Sequence, residues 1–253
     1  MILTLKICFL ALVQGVTEFL PISSSGHLAI FQNIIGGFSQ PVALDAALHF
    51  GTLLAIFFVF KNDLINIVKQ KDWRLVFYLT IATLPAALEG FLLKNSIEQS
   101  FQSTKLVASG FIFTGFVLLA SSFWQKNITH PQKLNGRKAL FIGLGQMLAL
   151  IPGISRSGIT ISAGLHQKLS PEESYRFSFL LAIPAILGAT LLEMKNLTFQ
   201  SLQQLPLWVL GIIIACFSGI LALKFLAEVL KKGRFAYFAL YLFILGGLLL
   251  ALG

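Results

Sequence analysis

Charged side chains are scarce in this sequence, and no long polar segment interrupts it. Asp, Glu, Lys and Arg make up 11% of the residues, whereas hydrophobic residues make up 56%. Soluble domains carry about 25% charged residues, so the composition excludes an ordinary soluble domain. The mean hydropathy of +0.83 agrees with this and predicts an integral membrane protein.

Cysteine and acidic residues are also few. Both cysteines, Cys8 and Cys216, lie in apolar runs and are interpreted as small core residues. Ten acidic residues against 19 Lys and Arg give a net charge of +9. The basic excess collects in residues 61–74, 126–138 and 231–234, as is typical of cytoplasmic loops in membrane proteins. The charge therefore predicts an orientation in the membrane, and nucleic acid is not expected as a partner.

Apolar runs predict the helices that span the membrane. A helix needs about 20 apolar residues to cross a bilayer. Six runs have this length, near residues 42–60, 74–93, 105–123, 174–193, 207–230 and 235–252. Four shorter runs form two broken pairs, at residues 2–20 with 28–35 and at residues 139–151 with 159–165. Short half-helices around a Pro/Gly/Ser break predict re-entrant hairpins, which are tolerated where protein or a wet cavity surrounds them.

The predicted fold class is therefore an all-α integral membrane protein with six transmembrane helices plus two re-entrant helical hairpins. The order is hairpin, three spans, hairpin, three spans, which divides a single membrane domain, 1–253, into repeat halves 1–125 and 137–253. An odd number of spans inverts the second copy, and inverted-topology repeats are typical of transporters. If the basic loops are cytoplasmic, the two breaks approach each other from opposite faces of the membrane.

Polar residues are concentrated at the two breaks. The first break, QGVTEFLPISSSGH at residues 14–27, contains Gln14, Glu18, Ser23, Ser24, Ser25 and His27. The second, QMLALIPGISRSGIT at residues 146–160, contains Ser155, Arg156, Ser157 and Thr160. Polar groups at membrane depth are costly unless they find partners, so these clusters predict a chemical site.

The second cluster and the serines have the chemistry of a phosphate site. Half-helix N-termini offer unpaired backbone N–H groups, and the serines add hydroxyl donors. Arg156 adds a planar, permanently charged fork that suits phosphate oxygens. The predicted substrate-binding residues are Gln14, Ser23, Ser25, Ser155, Ser157 and Thr160. A purely structural role of the serines stays open, since serines in membrane helices often allow neighbouring backbones to pack closely.

Glu18 and His27 would turn anion binding into a reaction. A carboxylate repels a phosphate, so Glu18 is expected to hold a divalent cation or to accept a proton. His27 can donate to a leaving oxygen, orient a nucleophile or attack phosphorus itself, and spacing does not decide between these roles. Two structural roles are the alternatives to a reaction: Glu18 and Arg156 would form an ion pair that only stabilises the fold, and His27 would be a hydrogen-bonded residue of the core. Asp45 and His49, four residues apart in the first span, are expected to have a supporting role.

These residues closely resemble the undecaprenyl-diphosphate phosphatase family, membrane enzymes associated with bacitracin resistance. The family motif Glu/Gln-x-x-x-Glu, running into Phe-Leu-Pro-x-Ser-Ser-x-Gly-His, is matched by Gln14, Glu18, Phe19, Leu20, Pro21, Ser23, Ser24, Gly26 and His27. Its second motif, Pro-Gly-x-Ser-Arg-Ser-x-x-Thr, is matched by Pro152, Gly153, Ser155, Arg156, Ser157 and Thr160. One departure is Gln14, where many members have Glu, which points to Glu18 as the indispensable carboxylate.

The resemblance implies hydrolysis of undecaprenyl diphosphate to undecaprenyl phosphate and phosphate, which recycles the carrier lipid of peptidoglycan synthesis. It also implies Mg²⁺ or Ca²⁺ as a cofactor, with Glu18 as its ligand, at a site on the outer (periplasmic) side of the bacterial inner membrane. Glu18, Ser24, His27 and Arg156 are the expected catalytic residues. The expected partners are membrane lipid and, as one option, a second copy of the chain. A polyprenyl-phosphate transporter or flippase and a non-catalytic anion-binding protein are the rival hypotheses.

Overall fold

The structure is a computed structural model that describes residues 1–38, 41–194 and 204–252. In these residues it contains α-helices and no β-strand. The helices are α1 (Ile2–Phe19), α2 (Ser24–Ile35), α3 (Pro41–Val59), α4 (Lys61–Lys69), α5 (Trp73–Leu92), α6 (Lys94–Ser100), α7 (Thr104–Lys126), α8 (Gly136–Leu148), α9 (Arg156–His166), α10 (Pro171–Met194), α11 (Leu205–Lys231) and α12 (Tyr237–Leu252).

Six helices of the described residues are long and apolar enough to cross a membrane, which confirms an all-α, multi-pass protein. They comprise α1, α3, α5, α7, residues 171–192 of α10, and α11. The sequence also predicted six spans, but it counted residues 235–252 as a span and residues 2–20 as one arm of a hairpin. α1 ends at Phe19, two residues before Pro21, and its 18 residues extend about 27 Å. α12 has 16 residues and falls below the spanning length.

The predicted half-helices are short in the structure too. α2, α8 and α9 have 12, 13 and 11 residues. Each break ends where a serine caps the next helix: the Ser23 hydroxyl accepts from the Gly26 N–H, and the Ser155 hydroxyl accepts from the Gly158 N–H. The caps explain why both helices begin at these positions. The re-entrant paths and the inverted repeat stay predictions.

Helix packing has the same pattern in both predicted halves. α1 packs against α11, and α8, its counterpart, packs against α5. Both contacts depend on a glycine, because a Cβ at Gly15 would lie 2.6 Å from the Ala215 carbonyl oxygen, and one at Gly143 would lie 2.4 Å from the Ala82 carbonyl oxygen. In each case the first arm of one predicted hairpin lies against the middle span of the other half. The division into two halves stays a prediction.

Large aromatic side chains fill the interior around the breaks. Phe19, Phe111 and Phe179 are fully buried, and the rings of Phe19 and Phe179 meet edge to face with centroids 5.5 Å apart. Phe19 follows Glu18 directly, so its burial fixes the end of α1 against α10. This apolar packing holds the polar residues of the two breaks in one place.

Candidate active site

Glu18 is the point at which the two breaks meet. Its carboxylate is 8% exposed. Oε1 lies 2.7 Å from Arg156 Nη2, and Oε2 accepts hydrogen bonds from the Ser24 hydroxyl at 2.5 Å and from Gln14 Nε2 at 3.1 Å. The structure thus brings together Gln14, Glu18, Ser24 and Arg156, which the sequence predicted as parts of one site.

Local structure explains why these side chains converge. Gln14 and Glu18 are four residues apart on α1 and therefore share one face of the helix. Ser24 and Arg156 each occupy the position directly after a serine cap, in the sequences Ser-Ser-Ser-Gly and Ser-Arg-Ser-Gly. The two capped helix starts thus present a hydroxyl and a guanidinium to the same carboxylate.

Other polar residues at the breaks hold the backbone. The hydroxyl of Ser157 donates to the Leu20 carbonyl oxygen at 3.2 Å, which joins the second break to the first. The backbone N–H of Ser155 donates to Thr114 Oγ1 on α7 at 3.1 Å. Sequence reasoning missed Thr114, because a lone threonine in an apolar helix gives no signal.

The predicted substrate-binding residues differ in accessibility. Ser23, Ser155, Ser157 and Thr160 are buried, with exposed fractions of 3, 2, 1 and 1%. Thr160 donates to the Arg156 carbonyl oxygen and lies 2.6 Å from the Ser178 hydroxyl. Ser25 is partly exposed and lies next to Ser24. Contact with a phosphate by any of these residues stays a prediction.

His27 lies apart from the carboxylate. Its Nδ1 is 2.7 Å from the Ser23 carbonyl oxygen, which can only accept, so Nδ1 carries the proton. In the neutral ring Nε2 is then an acceptor, and it lies 2.6 Å from the hydroxyl of Tyr241 on α12. Both ring nitrogens of His27 are therefore engaged away from Glu18. Sequence reasoning missed Tyr241, which is 214 residues away along the chain.

The histidine that reaches the carboxylate is His49 of α3. Its Nε2 lies 3.5 Å from Glu18 Oε2, and its side chain is 29% exposed. Nδ1 is 2.8 Å from the Asp45 carbonyl oxygen and must donate to it. The contact with Glu18 is consequently attractive when Nε2 also carries a proton. The Asp45 carboxylate accepts from Gln32 Nε2 at 2.6 Å and so links α3 to α2.

Two buried atoms at this site have no hydrogen-bond partner among the described residues. They are Gln14 Oε1, an acceptor, and Arg156 Nη1, a donor. Buried polar atoms without partners are rare in native proteins and call for an explanation. A ligand that offers both an anion and a cation would satisfy the two atoms together.

A divalent cation at this site stays a prediction. In the part of the chain that the structure describes, no group of three or more His, Cys, Asp or Glu side chains could hold a metal ion. Glu18, Gln14 Oε1 and the Ser24 hydroxyl nevertheless form a small set of hard oxygen donors. Mg²⁺ is commonly held by one or two carboxylates, waters and the phosphates of the substrate.

Comparison with known proteins shows the family of the chain. The family model described as bacitracin resistance protein BacA matches residues 7–248. An undecaprenyl-diphosphatase of Halothermothrix orenii is 38% identical, with 98% of this chain and 97% of the relative covered. An undecaprenyl-diphosphatase of Alcanivorax borkumensis is 41% identical, with 95 and 96% covered. One from Methanobrevibacter smithii is 38% identical, with 94 and 93% covered.

Proposed function

Because the chain belongs to the bacitracin resistance protein BacA family, we infer that it is a membrane phosphatase that hydrolyses undecaprenyl diphosphate to undecaprenyl phosphate and inorganic phosphate. This reaction returns the carrier lipid to peptidoglycan synthesis. The observation that carries the chemistry is the carboxylate of Glu18, which is held between Arg156 of one break and Ser24 of the other. The transporter hypothesis is not favoured, since the relatives are named as diphosphatases.

Arg156 is the phosphate-binding group in this proposal. Its Nη2 donates to Glu18, while Nη1 has no hydrogen-bond partner among the described residues and would donate to a phosphate oxygen. A guanidinium held in this way is already oriented before the substrate arrives. The partly exposed Ser25 is proposed as a further phosphate contact, and its hydroxyl lies 3.4 Å from that of Ser23.

Ser24 is the nucleophile that the geometry favours. Its hydroxyl already donates to Glu18 Oε2, so the carboxylate can take the proton as the Ser24 oxygen attacks the terminal phosphorus. The bond from that phosphorus to the bridging oxygen breaks, and undecaprenyl phosphate leaves. Glu18 passes its proton to the departing undecaprenyl phosphate and can then accept another. Water attacks the phosphoserine and gives a proton to Glu18, the bond between phosphorus and the Ser24 oxygen breaks, and Glu18 returns the proton to Ser24 as inorganic phosphate leaves.

The decisive experiment uses purified protein in detergent, where no compartments exist. An enzyme releases inorganic phosphate from undecaprenyl diphosphate under these conditions, whereas a protein that only transports lipid releases none. The wild-type chain is expected to release phosphate in proportion to the protein added. Absence of release by folded protein would contradict the proposed function.

A divalent cation, when bound, would stabilise the negative charge on the oxygens of the diphosphate. Gln14 Oε1 and Glu18 are the groups that would hold it. We expect a chelator to lower phosphate release by at least about tenfold, and added Mg²⁺ or Ca²⁺ to restore it. Gln14→Glu should lower the cation concentration needed for half-maximal release, and Gln14→Leu should raise it. Equal turnover with and without chelator would rule out the cation.

His49 is expected to contribute because it is the histidine in contact with Glu18. His49→Ala should reduce phosphate release by about tenfold, since the imidazole that lies 3.5 Å from the carboxylate is lost. His130→Ala, which changes an exposed loop histidine, serves as the matched control and should leave turnover unchanged. If the two variants behave alike, His49 has no part in the reaction.

The inner membrane of a bacterium and a periplasmic site are also proposed. The basic loops at residues 61–74, 126–138 and 231–234 support this orientation. In a cysteine-free background, an impermeant thiol reagent should label Lys69→Cys from the cytoplasmic side and Gln102→Cys from the opposite side. A homodimer stays a prediction of the sequence, and the mass of the detergent-solubilised protein measures it.

A further inference from the structure

Tyr241 and His27 form a contact between α12 and α2 that the proposed reaction leaves unused. The Tyr241 hydroxyl and His27 Nε2 are 2.6 Å apart, and the two rings are stacked within 9° at a centroid distance of 5.8 Å. His27 is 3% exposed and also packs against Phe111, with ring centroids 5.2 Å apart. Tyr241 is 44% exposed, and Tyr237 is the other residue of α12 that carries a polar group in its side chain.

The direction of the hydrogen bonds follows from the partners. The Ser23 carbonyl oxygen can only accept, so His27 Nδ1 donates to it at 2.7 Å. His27 Nε2 is then the acceptor for the Tyr241 hydroxyl. Without that hydroxyl, Nε2 would be a buried acceptor without a partner, or the ring would change tautomer and turn a lone pair towards the Ser23 oxygen. The Ser23 carbonyl oxygen thus sets the tautomer, and Tyr241 holds the orientation of the ring.

Ser23 is the residue that most needs such a support. Its φ of 67° lies in the left-handed region, which residues other than glycine seldom adopt. Its carbonyl oxygen accepts from both the backbone N–H and the ring of His27. Ser24 follows directly, with its hydroxyl on Glu18. A shift of Ser23 therefore moves the proposed nucleophile away from its base.

We propose that Tyr241 is a positioning residue that acts through His27, and that His27 clamps the Ser23–Ser24 turn and transfers no proton. The inference rests on the proposed phosphatase function. It differs from the expectation that His27 acts as a nucleophile or an acid/base partner. It follows from the placement of both ring nitrogens, neither of which faces Glu18.

Tyr241→Phe is the first test, since it removes one oxygen atom from a side chain that otherwise keeps its packing. The kcat of phosphate release should fall by about fivefold while KM stays within about twofold, because the nucleophile is displaced and the phosphate contacts at Arg156 are kept. Tyr237→Phe is the matched control, one turn away and 71% exposed, and should match the wild type. A kcat equal to that of the wild type in Tyr241→Phe would overturn the proposal.

His27→Asn separates positioning from proton transfer. The asparagine amide can donate to the Ser23 carbonyl oxygen but cannot act as an acid or base at neutral pH. His27→Ala should lower kcat by about thirtyfold, whereas His27→Asn should stay within about threefold of the wild type. If folded His27→Asn is as inactive as folded His27→Ala, His27 has a chemical role and the clamp is rejected.

A readout independent of turnover distinguishes the failure of this proposal from that of the function. The chain has four histidines, so ¹⁵N-histidine labelling gives few signals. The His27 signals should report a proton on Nδ1 in the wild type, and the Nε2 shift should change in Tyr241→Phe because the hydrogen bond from the hydroxyl is lost. An unchanged spectrum would overturn the clamp. Absence of phosphate release by the wild type with the expected spectrum would reject the phosphatase and keep the clamp.

Discussion

Arg156→Ala is expected to lower phosphate release from undecaprenyl diphosphate by at least about 100-fold, the effect typical of losing a donor to developing charge in a transition state. The substitution removes Nη1, which has no hydrogen-bond partner among the described residues and is proposed to donate to a phosphate oxygen. It also removes the guanidinium that lies 2.7 Å from the Glu18 carboxylate. Arg156→Lys should recover little activity, because an ammonium group cannot bond the carboxylate and a phosphate through one planar fork. Steady-state phosphate release in detergent measures both variants.

The matched control for this substitution is Arg137→Ala. Arg137 is exposed at the start of α8 and carries the same charge, so its loss should leave turnover unchanged. A general effect of net charge on lipid binding would lower the turnover of Arg156→Ala and Arg137→Ala equally. Near-normal turnover of a well-folded Arg156→Ala protein would reject the assignment of the phosphate-binding group.

Hydropathy and polar clusters were enough to predict the class of fold and the meeting of Glu18 with Arg156. Long apolar runs at membrane length have few alternatives, and a charged residue at such depth needs a partner. The identity of each span was harder to predict. Residues 2–20 were predicted as one arm of a hairpin and residues 235–252 as a span, whereas α1 has 18 residues and α12 has 16, so helix length favours the opposite assignment.

The two histidines show why the fine structure of the site could not be predicted. His27 stands near Glu18 in the sequence, but its ring folds back onto the carbonyl oxygen of its own helix cap. His49 lies 31 positions after Glu18, counted along the printed chain, and reaches the carboxylate because α3 packs beside α1. Tyr241 gave no signal, since tyrosine in an apolar helix is common at membrane interfaces. Contacts between distant helices depend on packing that local spacing does not reveal.

Glu18 contacts Gln14, Ser24, His49 and Arg156, so its loss is expected to lower phosphate release as strongly as the loss of Arg156 does. Glu18→Ala should lower kcat by at least about 100-fold, since the Ser24 hydroxyl loses its proton acceptor and Arg156 loses the group that orients it. Glu18→Gln should be nearly as inactive, because an amide fills the same space but takes no proton and balances no charge. Glu172→Ala, an exposed acid at the start of α10, is the control and should match the wild type.

Trapping of the covalent intermediate decides what Glu18 does. With substrate labelled in the terminal phosphate, rapid acid quenching of the wild type should recover the label on Ser24, because serine phosphate is stable in acid whereas histidine phosphate is not. Glu18→Gln should show no label at Ser24, since attack requires removal of the hydroxyl proton by the carboxylate 2.5 Å away. Full labelling of Ser24 in Glu18→Gln would show that the carboxylate acts only after the serine has been phosphorylated, and turnover within about threefold of the wild type would remove Glu18 from the mechanism altogether.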